Sequence, residues 1–254
     1  MYSNIFDSHA HYDDSRFDED RDELLCSLKD EGVSYVVNCG CDLRTCLKTL
    51  EISEKHDFLY AALGVHPHEA EETTEEDLAE IRKLYCNKKV VAVGEIGLDY
   101  HYDFSPREIQ KEVFEKQLIL ANELDLPVIV HDRESHEYTM NLLKKHRPKG
   151  VVHCFSGSVE MAKEIVKLGM YIGLGGAVTF KNAKKPIEVA EYIPLEYLLL
   201  ETDAPYMTPV PHRGERCHSG HIALTAEKIA EVKGMDTQEL IDRCNENAKR
   251  LFSI

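Results

Sequence analysis

The stretch Asn4-Ile5-Phe6-Asp7-Ser8-His9-Ala10-His11 is a short apolar run that ends in two histidines one residue apart. In an extended segment side chains alternate between faces, so His9 and His11 point the same way and can hold one cation between them. The run therefore predicts a buried first strand that carries half of a metal site. An open, doubly wound sheet would normally place a Gly-rich dinucleotide or phosphate loop after its first strand. Here His-Ala-His stands in that place, which favours a barrel.

Outward from this stretch the same pattern repeats: a short apolar run, a turn, then a polar stretch with apolar residues three or four apart. The apolar runs fall at 4–9, 35–39, 58–65, 90–96, 127–130, 150–153, 171–174 and 197–200, which predicts eight strands. Their near-continuous apolar character suits a parallel sheet covered on both sides. Ser105-Pro106-Arg107-Glu108 predicts a helix start with a capping box and Pro at the first helical position. Asp236-Thr237-Gln238-Glu239 opens a last helix in the same manner, after another helix near 221–233 that Gly234 ends. Eight units over 254 residues average about 32 residues each, the size of a βα repeat. The prediction is an α/β fold, a (β/α)8 TIM barrel with an extra C-terminal helix. Without a linker-like or low-complexity stretch, residues 1–254 are expected to form a single domain.

Composition narrows the function classes. A chain with 43% hydrophobic and 30% charged residues has the balance of a soluble globular protein. There is no apolar run long enough to span a membrane and no signal-like N-terminus, so a cytoplasmic location is expected. The eight cysteines show no C-x-x-C pair or zinc-finger spacing, and reduced, packing thiols are expected rather than disulfides. A formal net charge of −16 argues against coating nucleic acid through a broad basic surface, because such binding depends on Lys and Arg displacing counterions. A polyanionic substrate would have to be captured locally. Nothing points to an obligate protein partner, and a monomer or weak oligomer is expected.

In a barrel the residues that end strands converge on one mouth. Several of the runs end in a metal-competent side chain: His9 and His11, His66, Glu95, His131, His153 and Asp203. Four histidines (9, 11, 131, 153) and two carboxylates exceed the three or four protein ligands of one catalytic zinc. They suit two cations about 3.5–4 Å apart that share a bridging carboxylate. Glu95, on the fourth strand across the mouth from the first, is the expected bridge. His9, His11 and Asp203 would complete one site, and His131 and His153 the other. Imidazole-rich ligation favours Zn, Mn, Fe or Co over Mg on affinity, although availability can override this.

Five segments, Asp7-Ser8-His9-Ala10-His11, Gly64-Val65-His66-Pro67, Gly94-Glu95-Ile96-Gly97-Leu98-Asp99-Tyr100, His153-Cys154-Phe155-Ser156-Gly157 and Glu201-Thr202-Asp203-Ala204-Pro205, together resemble the TatD family of metal-dependent deoxyribonucleases. The resemblance spans essentially the whole chain in order. It implies an amidohydrolase-like barrel, two divalent metal ions, and hydrolysis of DNA phosphodiesters, often as a 3′-to-5′ exonuclease on single strands. It also implies that His66, Arg133 and Arg213 contact substrate phosphate. One departure follows Pro211-His212-Arg213-Gly214: Cys217 stands where the family usually has Asn, which bears on how this loop positions substrate.

With the catalytic set taken as Asp203, Glu95 and His66, Asp203 is expected to ligate metal and to take the proton from the attacking water, with His66 assisting at the phosphate. Tyr100, Tyr102 and Phe104 follow Glu95 closely and could stack on a base. Lys181, Lys184 and Lys185 form a small basic cluster that is more simply a solvated face. A rival reading keeps the scaffold and changes the electrophile to a small ester, lactone or amide, or D-aminoacyl-tRNA, because one metal-activated water serves many. A metal-dependent binding protein without catalysis is a third reading, and it would need no acid placed like Asp203.

Overall fold

The predicted runs become parallel strands because each is apolar on both faces, and each is followed by a helix that covers its outer face. The computed structural model describes residues 2–254. In chain order the elements are β1 (Ile5–Ala10), α1 (Arg21–Ser27), β2 (Val33–Cys39), α2 (Leu43–Lys55), β3 (Leu59–Leu63), α3 (Glu75–Leu84), β4 (Val90–Asp99), α4 (Arg107–Leu124) and β5 (Val128–Arg133). They continue as α5 (His136–His146), β6 (Gly150–Val152), α6 (Val159–Lys167), β7 (Tyr171–Leu174), α7 (Lys184–Tyr192), β8 (Leu198–Leu200), α8 (Ile222–Lys233) and α9 (Thr237–Phe252). The strands are parallel and neighbour one another in sequence order from β1 to β8. The sheet closes between its ends just past β8, where the His11 N–H donates to the Ala204 carbonyl at 2.7 Å and the Asp203 N–H to the His9 carbonyl at 3.0 Å. The architecture is the (β/α)8 barrel, with α9 as the additional helix.

The period-two alternation of each strand separates two apolar clusters. Outward-facing Val36, Leu59, Val128, Val130, Val152, Ile172, Leu198 and Leu200 pack in the cluster that also holds helix residues such as Phe114, Leu118, Ile165 and Ile229. Inward-facing Val37, Cys39, Ala62, Ile129, Val151, Tyr171 and Leu199 pack in another, joined by Ala248, Leu251 and Phe252 of α9. Phe6 and Phe252 stack with centroids 5.9 Å apart, so α9 seals the floor of the barrel beneath these side chains. Two residues further along the same inward rows the side chains become polar: His131 follows Ile129, His153 follows Val151, and Glu201 follows Leu199. The interior thus has an apolar lower storey and an ionisable upper one.

Local signals explain most helix starts. Asp42 caps α2 by accepting from the Thr45 N–H at 2.6 Å, Thr74 caps α3 with Asp77 answering in return, and Asp236 caps α9 by accepting from the Glu239 N–H at 3.0 Å. The capping box predicted at Ser105 does not form. The Ser105 hydroxyl instead donates to the His68 carbonyl at 2.9 Å and accepts from the Glu71 N–H at 3.0 Å, and Pro106 is the cap residue. The loop after β3 wins the hydroxyl, and it ties the rim of β3 to that of β4. No helix among the described residues is long and apolar enough to cross a membrane.

Candidate metal centre

The histidines and acids singled out from the sequence meet at the C-terminal end of the barrel. Glu95 lies at their centre, 3% exposed, and its two oxygens face different partners. Oε2 is 3.4 Å from His9 Nε2 and 3.3 Å from His11 Nε2, whereas Oε1 is 2.8 Å from His131 Nδ1 and 2.7 Å from His153 Nε2. Asp203 completes the first group, with Oδ1 3.6 Å from both His9 Nε2 and His11 Nε2. Its backbone takes the left-handed conformation at φ 61, which turns the side chain into the mouth. His9, His11 and Asp203 offer ligand atoms close enough together to hold one ion, as do His9, Glu95 and His153.

Neighbouring bonds fix which ring nitrogen each histidine presents. His11 Nδ1 donates to the Cys39 carbonyl at 2.9 Å, leaving Nε2 as a lone pair that faces His9 Nε2 at 2.9 Å. His131 is turned the other way, with Nε2 on Asp99 Oδ2 at 3.1 Å and Nδ1 toward Glu95. Two imidazole lone pairs pointed at each other repel unless a proton or cation sits between them, and the donor set of nitrogens and carboxylate oxygens fits divalent cations.

The electrostatics divide the rings. Burial opposes charge on all of them, but Cys41 and Glu95 hold His11 well above its ordinary value, Asp99 and Glu95 push His131 up to about 9, and Glu95 raises His153, whereas His9 goes the other way. Burial, reinforced by neighbouring His153, holds His9 well below its ordinary pKa and so in the neutral, ligating form. Burial also opposes charge on Glu95, but His153, His66 and His9 outweigh it and keep the carboxyl well below the usual range. Asp203 is pushed upward, chiefly by burial.

His66, with Glu95 and His131, forms a further group whose ligand atoms lie close enough to hold an ion. His66 Nδ1 accepts from the His68 N–H at 3.2 Å, so its proton sits on Nε2, 3.5 Å from Glu95 Oε1. His66 therefore offers a donor at the mouth. Arg133 ends β5 with its guanidinium 4.7 Å from the centre of the Tyr102 ring. Its acidic neighbours are engaged elsewhere, Asp132 with His136 at 2.7 Å and Glu134 with His101 at 2.7 Å, and Arg133 has no ion-pair partner among the described residues. Arg213 is exposed and rests 4.1 Å over Phe180, whereas Arg216 is paired with Asp20 at 2.5 Å. Cys217 is fully buried, with its N–H on the Pro205 carbonyl at 3.1 Å, so it packs beneath the loop instead of facing substrate. Lys181, Lys184 and Lys185 are exposed at the start of α7, apart from the cluster. Of the three aromatics after Glu95, Tyr102 and Phe104 are 48% and 64% exposed, but Tyr100 is 8% exposed under Arg107 and is not available to a ligand.

Three further residues matter that the sequence reading left without a role. Asp99 Oδ2 accepts from His68 Nε2 at 3.0 Å as well as from His131, and these contacts hold its carboxyl low despite burial. Glu201 is buried beside His153, with Oε1 3.9 Å from Nδ1, and accepts from the Cys154 N–H; burial pushes it up to about 8. Gly173 makes room for it, since a Cβ there would collide with its carboxylate. Cys41 places Sγ 4.0 Å from His11 Nδ1, and with His11 and Glu95 forms another group able to hold an ion.

A parallel eight-stranded barrel with this set of imidazoles and carboxylates at its mouth has the fold and donor set of a metal-dependent hydrolase. More narrowly, the chain belongs to the family described as TatD related DNase, whose sequence model matches residues 6–253. It is 47% identical over 253 residues to the uncharacterized metal-dependent hydrolase YabD of Bacillus subtilis, covering 98% of this chain and 99% of that protein. It is 34% identical over 262 residues to the 3′-5′ ssDNA/RNA exonuclease TatD of Erwinia tasmaniensis, covering 98% of this chain and 100% of the relative. The crystal structure of the TatD homologue YJJV from Escherichia coli K12 superposes with a TM-score of 0.94 at 35% identity, covering 100% of both chains.

Proposed function

We propose that the chain hydrolyses DNA phosphodiester bonds with two divalent cations, acting from the 3′ end of single strands. One observation carries this reading: the two oxygens of Glu95 face separate histidine groups, which is what a carboxylate shared by two ions requires. In this proposal His9, His11 and Asp203 would hold one cation and His131 and His153 the other, with Glu95 available to both. When bound, the cations supply Lewis-acid polarisation of the phosphoryl oxygen and lower the pKa of a water.

The remaining work falls to side chains. Asp203 takes the proton of the attacking water; its carboxylate is 21% exposed and so reaches the mouth. His66 donates its Nε2 proton to a phosphate oxygen. Arg133 and Arg213 add charge-assisted hydrogen bonds to phosphate, for which the planar guanidinium is suited. These two arginines, without an ion-pair partner among the described residues, favour a phosphodiester over a neutral ester or amide, and the 3′-5′ exonuclease name of the Erwinia relative supports the same choice.

The test is turnover of single-stranded DNA labelled at its 5′ end, with added Mg²⁺ or Mn²⁺, beside a panel of small esters, lactones, amides and D-aminoacyl-tRNA. A ladder shortening from the 3′ end is expected. Turnover confined to the panel, with intact DNA, overturns the nuclease assignment and leaves the hydrolase class standing.

A further inference from the structure

Exposed aromatic rings lose the benefit of burial, so a rigid loop that displays two of them side by side calls for an occupant. Tyr102 and Phe104 stack on each other with centroids 5.2 Å apart and an interplanar angle of 18°. Both meet the His68 ring edge-on, at 5.5 and 4.8 Å. His68 is bonded to Asp99, and Asp99 to His131, so the ring pair is one short chain of contacts from Glu95.

The loop does not need the rings for its shape. Asp99 Oδ1 accepts from the N–H groups of His101 and Tyr102 at 2.9 and 3.0 Å. Gln110 donates to the carbonyls of Asp99 and Ser105 at 3.1 and 2.8 Å, and Asp103 pairs with Arg107 at 2.6 Å. The conformation is set by polar contacts, while Phe104 stays the more exposed ring of the pair, since Tyr102 also carries Arg133.

We infer that Tyr102 and Phe104 form a stacking platform for a nucleobase of the substrate strand. The occupant is argued from its neighbours: Arg133, poised over Tyr102, offers a cation to the phosphate beside a stacked base, and the metal centre lies behind His68. A single-stranded nucleotide is the ligand that presents a flat π-face and an anion at that spacing. Every base has such a face, so the platform holds bases without selecting among them. The inference rests on the nuclease reading for the identity of the strand, and it adds a base-contacting subsite to it.

The experiment measures binding by fluorescence anisotropy, using metal-loaded protein in an Asp203→Asn background. The probes are a labelled short oligonucleotide and an abasic chain with the same phosphates. Removal of the bases should weaken binding about 5- to 100-fold, the usual range for losing base–aromatic stacking. Phe104→Leu should bring the base-bearing strand down toward the abasic one, leaving abasic binding and metal content unchanged, and Tyr102→Phe should preserve the preference. Equal binding of the two probes, or equal weakening of both by Phe104→Leu, overturns the platform. Parallel assays with the wild-type protein separate the two proposals. Cleavage of DNA together with equal binding of base-bearing and abasic strands sinks the platform alone, whereas tighter binding of the base-bearing strand without cleavage of any DNA supports the platform and sinks the nuclease reading.

Discussion

Glu95 has one carboxylate for two groups of histidines, so its loss should be felt on both sides of the centre. Glu95→Ala is expected to retain almost no metal after gel filtration, against nearly two equivalents in the parent by elemental analysis; a variant that kept two would remove Glu95 from the bridge. Asp99→Asn tests the layer behind it. The substitution keeps the shape but drops the charge that orients His131, and losses of this kind cost about 10- to 100-fold in metal affinity. One of two binding steps in a competition titration should weaken while the other holds. Asp203→Asn retains size and an oxygen ligand, so turnover should fall by about 10² or more with metal content unchanged. Near-normal turnover would place the base elsewhere. The ring of metal-competent residues was legible in the sequence because each ends an apolar run. Asp99 and Glu201 were not weighed, yet alternation exposes them: Asp99 lies four residues after Glu95 and Glu201 two before Asp203, each on the inward parity. The signal was present in the period. What hid it is that a buried acid with no metal in reach looks the same on paper as a surface one.

At the level of elements, the strand cores were legible and β7 matches the run 171–174 at both ends, but other ends shift. β4 runs on to Asp99, three residues past the predicted end at Ile96, because Gly97 lets it approach β5. Gly97 sits at φ 150 opposite His131, where a Cβ would strike the His131 carbonyl. Gly97→Ala should therefore cost on the order of 1–3 kcal/mol and disturb the His131 side of the centre. Gly169, at φ 82 with open space around it, is the control: Gly169→Ala meets the backbone penalty without the collision and should leave metal binding intact. Urea midpoints and metal content measured on both variants decide the point, and equal effects would mean that the close approach at Gly97 is not what matters. The Ser105 box failed for a related reason. Sequence shows which hydroxyl can cap a helix, but not that a loop thirty-odd residues earlier in the chain will arrive to claim it.

Over the whole molecule, a net charge of −16 leaves few cations for a polyanion. Log affinity for single strands falls with log salt at a slope of about −0.7 per phosphate neutralised. The slope for this chain should correspond to roughly two to four phosphates, and affinity should stop rising beyond about ten nucleotides. A slope equivalent to eight or more would reveal a long groove. Arg213→Ala should flatten the slope by about one phosphate and raise KM without loss of metal. The two storeys of the barrel interior have a last consequence, for supply. The lower storey is packed by aliphatic and aromatic side chains and sealed by Phe252, so the walls of the upper one stand whether or not ions arrive. Such a socket is mixed in nitrogen and oxygen and does not impose one element's geometry, so its contents follow what the surroundings provide. Protein from cells grown in manganese-rich and zinc-rich media should carry different metals in the same fold, and the ion in any one preparation is a record of its broth.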